Sequence, residues 1–86
     1  ENEVSPTMDQ IYVYPNPVGH VLSIYVQGGF EKGEYRLTDI TGKTVMTGQL
    51  DYTGRQTLDV GALDRGLYIL TVHGKNSTIS AKVLKN

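Results

Sequence analysis

The chain has 86 residues, eight basic and nine acidic side chains, and no cysteine. That length gives one domain with a modest core. The missing cysteine excludes disulfides and thiol chemistry, and a net charge of −1 argues against a nucleic-acid or anionic-membrane surface. No apolar run approaches a membrane span, and the N-terminus shows no signal-peptide pattern.

Taken in order, Glu1–Gln10 is polar, holds a proline and has no period. It reads as a linker tail, with the domain itself over residues 11–86. The chain is therefore read as a piece of a longer exported protein. Ten glycines, six tyrosines and many Val, Ile, Leu and Thr residues favour strands. Short alternating segments bounded by turn residues predict seven of them, over 10–14, 21–26, 34–40, 43–50, 55–60, 67–73 and 78–84. Proline cannot sit inside a central strand. "YPNP" (Tyr14, Pro15, Asn16, Pro17) thus ends the first strand and redirects the chain, and the sequence leaves open whether either X-Pro bond is cis. Gly48 interrupts the fourth strand as a bulge or a point of close approach. Strands spaced this way suggest an all-β fold: a seven-stranded, immunoglobulin-like antiparallel β-sandwich of Greek-key type. Alternation gives the expected core as Ile11, Val13, Leu22, Ile24, Val26, Tyr35, Leu37, Val45, Leu58, Val60, Leu63, Tyr68, Leu70, Val72, Ile79, Ala81 and Val83.

Two motifs are structural. In "LDRGLY", Leu63 plugs the core, Gly66 supplies a positive φ and Tyr68 turns its hydroxyl back to upstream backbone, as in a tyrosine corner. In "DITGKTV", Asp39 opens a type I turn and Gly42 takes the left-handed position of a G1 bulge. That segment lacks the pattern of a phosphate loop. His20 and His73 both lie beside turns, and no nucleophile–base pair accompanies them, so no catalytic residue and no enzyme activity are expected. Asp39, Asp59 and Asp64 are read as turn residues rather than calcium ligands, so no metal or cofactor is expected. "NST" (Asn76–Thr78) fits the glycosylation acceptor pattern but arises readily by chance. Tyr12, Tyr14 and Tyr25 suggest an aromatic cluster on one face, read as ordinary strand tyrosines. "AKVLKN" is a lysine-bearing terminal strand, which either blocks unwanted edge pairing or offers itself to a partner by strand addition.

Four of these segments, in this order and spacing, resemble the C-terminal sorting domains of the type IX (Por) secretion system. They are "YPNP" followed by "LSI", then "DITGKTV", "LDVGALDRGLYILTV" and the closing "KVLK". The resemblance covers about residues 11 to 86. It implies an immunoglobulin-like domain that directs an exported bacterial cargo through the periplasm and across the outer membrane of a Gram-negative cell. It further implies recognition by the type IX translocon through the last strands. A sortase-like peptidase then often removes the domain, and the cargo is attached to an anionic lipopolysaccharide at the cell surface or released.

On that resemblance, Lys82, Val83, Leu84 and Lys85 match the terminal recognition segment, and Gly66, Leu67 and Tyr68 the penultimate motif. Cleavage would fall within or just before Glu1–Gln10. The expected mode of recognition is edge pairing by the last hairpin, residues 67–85, helped by both lysines, with weak homodimerisation through the same edge. The competing reading is a non-catalytic, fibronectin-like adhesive or ligand-binding spacer, because many functions share sandwiches.

Overall fold

A computed structural model describes residues 10–27, 33–50, 54–74 and 78–86. Residues 1–9 of the expected linker tail, most of the loop after the second strand, and Asn76 and Ser77 of the "NST" triplet lie outside the described residues. The seven expected strands are present within a residue or two of their expected bounds. They are β1 Gln10–Tyr14, β2 Val21–Gln27, β3 Glu34–Asp39, β4 Thr44–Gln49, β5 Arg55–Asp59, β6 Gly66–His73 and β7 Thr78–Lys85.

The strands form two antiparallel sheets, ordered β1-β2-β5 and β4-β3-β6-β7. The chain crosses from the first sheet to the second after β2, back after β4, and over again after β5, which makes an immunoglobulin-like sandwich. Alternation decides which side chains meet between the sheets. Leu22, Ile24 and Val26 of β2 and Leu58 of β5 face Tyr35 and Leu37 of β3, Tyr68, Leu70 and Val72 of β6, and Val83 of β7. Ile11, Val13, Val45, Met46, Leu63 and Ile79 pack half-buried around them, and Ala81 is likewise half-buried.

Two core residues lie outside the expected set. Val18 and Leu50 are buried: Val18 lies in the turn beyond Pro17, outside any strand, and Leu50 has the parity opposite to Val45, which the expected core took as inward. Each is placed by backbone bonds: Leu50 N–H donates to Gly33 C=O at 2.7 Å, and Val18 N–H to Leu84 C=O at 2.8 Å. The alternative left open at Gly48 resolves as close approach. Gly48 pairs with Tyr35, whose ring crosses it so closely that any Cβ there would collide with the phenol. The register irregularity of that hairpin lies elsewhere. Leu37 pairs with Met46 and Thr38 with Thr44, so Val45 is the extra residue.

Candidate functional site

The expected structural motifs form as read. Tyr68 Oη donates to Asp64 C=O at 2.7 Å, Leu63 packs against the core, and Gly66 adopts φ 148°. Burial, then the charges of Asp64 and Asp39, push the Tyr68 phenol above its ordinary pKa. In the β3–β4 turn, Gly42 N–H donates to Asp39 C=O at 3.0 Å and Gly42 takes φ 91°, a left-handed position that suits glycine. Asp39 Oδ1 accepts from Thr41 Oγ1 at 2.6 Å, Thr41 N–H at 2.9 Å and Lys43 N–H at 3.0 Å. The Thr41 hydroxyl foremost, with those amides, holds the Asp39 carboxyl below the usual carboxylate range.

The β6–β7 hairpin gathers the expected recognition residues but divides them between two faces. Tyr68 pairs with Val83 and both point into the core, whereas Leu67 pairs with Leu84 and both point outward. Those two leucines are 39% and 44% exposed. Lys82 stands on the same outer face, paired with half-buried Ile69. Lys85 does not join it. It shares the inward parity of Val83, is only 8% exposed, and donates from Nζ to Asn86 C=O at 2.8 Å. A buried ammonium needs such a partner, and its methylene stem packs while the head is bonded. A single partner surface therefore cannot read the two lysines from one face. The face was legible in advance, because residues three apart on a strand point opposite ways.

The "YPNP" segment reaches the same hairpin. Both its X-Pro peptide bonds are cis. Asn16 lies alongside β7, its Nδ2 donating to Lys82 C=O at 3.0 Å and its Oδ1 accepting Leu84 N–H at 2.9 Å. Val18 continues the seam as a parallel bridge to Lys85: Val18 N–H donates to Leu84 C=O, and Asn86 N–H to Val18 C=O at 2.9 Å. The outer edge of β7 from Lys82 to Asn86 is thus occupied, so the whole terminal strand is not the open edge that the sequence suggests.

The remaining candidates separate from this site. His73, with Glu34, Arg36, Thr47 and Gln49, lines a polar cleft of about 230 Å³ on the outer face of the four-stranded sheet, and its Nδ1 lies 3.1 Å from Thr78 Oγ1. His20 contributes its C=O to Val60 N–H at 2.7 Å. Asp59 Oδ1 accepts Gly61 N–H at 3.0 Å in a turn. Among the described residues no His, Asp or Glu group is arranged to hold a metal ion. Tyr12 and Tyr25 do cluster, with ring centroids 6.0 Å apart, while Arg55 covers Tyr25 at 4.4 Å. Tyr25 is therefore sandwiched within the sheet's own outer face.

Fold and site together define an immunoglobulin-like module whose terminal hairpin is its most elaborated feature. The family model for the secretion-system C-terminal sorting domain matches residues 12–86, and the chain belongs to that family. It is a sorting signal for type IX secretion, carried by an exported protein and acting with the secretion machinery on the cargo region that precedes it. Family membership disfavours the adhesive-spacer reading of the same fold. No curated protein matches the chain.

Proposed function

We propose that the machinery reads the outer face of the β6–β7 hairpin at its Gly66–Lys85 end. Leu67 and Leu84 supply an exposed apolar pair and Lys82 an accessible charge. Gly66, Tyr68, Val83 and Lys85 form the frame that holds them. The observation that carries this reading is the Leu67–Leu84 pair, two adjacent leucines turned to solvent beside a lysine. Exposed apolar groups rimmed by polar ones are the usual anchor of a protein contact. After recognition, a sortase-like peptidase cuts in the segment preceding Ile11 and the cargo stays at the cell surface.

Point variants test this better than truncation. Removing Val83–Asn86 would also remove a core residue and the seam to Val18, so lost secretion would report unfolding as readily as lost recognition. In a fusion of a reporter to this chain, Leu67→Ser with Leu84→Ser should cut surface delivery about tenfold or more, the effect of losing one or two central anchors. Lys82→Glu should act in the same direction. Undiminished delivery by a folded double variant would overturn the proposal. Mass spectrometry of the mature parent protein tests removal: cleavage predicts that residues 11–86 are missing from the surface form.

A further inference from the structure

The outer face of the three-stranded sheet carries tyrosines that the sorting function leaves unused. Cross-strand pairing sets its side chains in rows. Tyr12, Tyr25 and Arg55 form one row, Tyr14, Ser23 and Thr57 the next, and Val21 and Asp59 a third. Rows on one face of a sheet stand about 7 Å apart, two residues along each strand. The first row is tall and packed. Tyr12 stacks on Tyr25, the Arg55 guanidinium covers the Tyr25 ring, and Gln27 Nε2 donates to the Tyr25 hydroxyl at 3.4 Å. The middle row is low at Ser23 and Thr57 and rises again at Tyr14, which stands opposite the serine with half of its surface exposed (50%). The result is a shallow trough across the sheet, with hydroxyls in its floor, an aromatic wall along one side and a second tyrosine at its end. Among the described residues no hydrogen bond engages the side-chain hydroxyl of Tyr14, Ser23 or Thr57.

We propose that this trough binds a neutral oligosaccharide. The strand that supplies its floor, β2, is central, and its main chain pairs with β1 on one side and β5 on the other. The face therefore offers side chains alone. An extended peptide gains its affinity from main-chain pairing, which is absent here. A pyranose chain alternates apolar C–H faces with hydroxyl edges. Its C–H groups match the negative face of an aromatic ring, and its hydroxyls match the Ser23 and Thr57 hydroxyls. Among the described residues the three rows hold one cation, Arg55, and one anion, Asp59, so the face is balanced and suits an uncharged ligand. Tyr25 is fixed before binding by Tyr12, Arg55 and Gln27, so little side-chain freedom is lost when the wall is used. Stacking falls to Tyr14, whose ring has only a serine opposite it. The trough lies on the opposite sheet from the β6–β7 hairpin, so this reading stands apart from the recognition proposal.

Amide NMR of the 86-residue chain tests this, with cellohexaose, xylohexaose, laminarihexaose, mannohexaose and maltohexaose added in separate titrations. At least one sugar should shift the Tyr14, Ser23, Tyr25 and Thr57 amides saturably, while the Ser80 and Lys82 amides of the other sheet stay in place. Tyr14→Ala should weaken that binding about tenfold or more, the effect of losing a central aromatic anchor. Ser23→Phe should abolish it by filling the floor, at a strand position where an aromatic side chain is well accepted. Unchanged Leu22 and Leu70 amide shifts show that each variant is folded. Should Tyr14→Ala fail to fold, Tyr14→Leu keeps an apolar side chain and loses the ring, and the same weakening is expected. Failure of every sugar in the set to bind would overturn the proposal. So would binding that survives both variants, or tighter binding of polygalacturonate than of any neutral sugar. Broadening of the same amides with protein concentration alone would mean that a second copy covers the face, and the proposal would fall.

Discussion

The two ends of the β6–β7 hairpin share one continuous register, from Gly66↔Lys85 to His73↔Thr78, yet they are built differently. At the Gly66–Lys85 end, segments from outside the sheet converge. Asp64 accepts the Tyr68 hydroxyl, Val18 and Asn16 bond the outer edge, and Lys85 is folded inward. At the His73–Thr78 end, the bonds are between exposed side chains of the strands themselves: His73 with Thr78, and Thr71 with Ser80 at 3.2 Å. Ladder bonding is the same along the hairpin, so it does not set the contrast. What differs is whether segments from outside the sheet close over the strand, and among the described residues the exposed leucines of the hairpin stand at the closed end.

The contrast should appear first in core stability along β7. Val83 is 1% exposed and sits at the closed end, whereas Ile79, on the same inward face, is half-buried at the open end. Truncation costs the lost burial plus the cavity left where neighbours cannot relax. Val83→Ala should therefore lower unfolding free energy by about 2 kcal/mol and Ile79→Ala by about 1 kcal/mol, despite the larger side chain removed from Ile79. Urea denaturation of both variants measures the difference. Equal losses would erase the distinction between the ends.

The tyrosine corner is the next largest effect. Tyr68→Phe removes one hydrogen bond to Asp64 and should cost about 1 kcal/mol near neutral pH. The same hydroxyl sets an alkaline limit. Its pKa is raised in the folded state, so the native chain holds that proton more tightly than the unfolded chain. The contribution is intact below the unfolded value of about 10 and is lost as pH rises through the folded one. Wild-type stability should fall across that window, and Tyr68→Phe should flatten the fall.

Much of this architecture is legible in the sequence because period-two alternation and turn residues act locally. The strand bounds, the Tyr68 corner and the Asp39–Gly42 turn all follow from residues within a few positions of one another. The seam does not. Asn16 and Lys82 are 66 positions apart, and nothing in Pro-Asn-Pro says which strand its amide will meet. Val18 escaped for the same reason: it joins the core from a turn by borrowing a place beside β7. Lys85 is a different case. Strand parity alone puts it opposite Lys82, but a lysine near a chain's end invites the assumption of exposure. The residues expected to carry recognition were thus legible as a segment, while their division between two faces was not.

The smallest effect belongs to the β3–β4 turn, which is exposed and remote from the seam. Asp39 Oδ1 gathers three donors, and those bonds favour the ionised form. The folded-state pKa is lowered, so the stabilisation is complete above the unfolded value near 3.9 and is lost as pH falls through the lower, folded value. Asp39→Asn keeps an oxygen acceptor for the Thr41 and Lys43 amides while removing the titration. Its melting temperature at neutral pH should drop only slightly, because the bonds that remain are neutral rather than charge-assisted. Below pH 4 the gap between variant and wild type should close, as the wild-type carboxyl gains its proton and loses the same advantage. A gap that stays constant from neutral to strongly acidic pH would show that the turn is held by its Gly42 geometry and backbone bonds, with the Asp39 charge irrelevant.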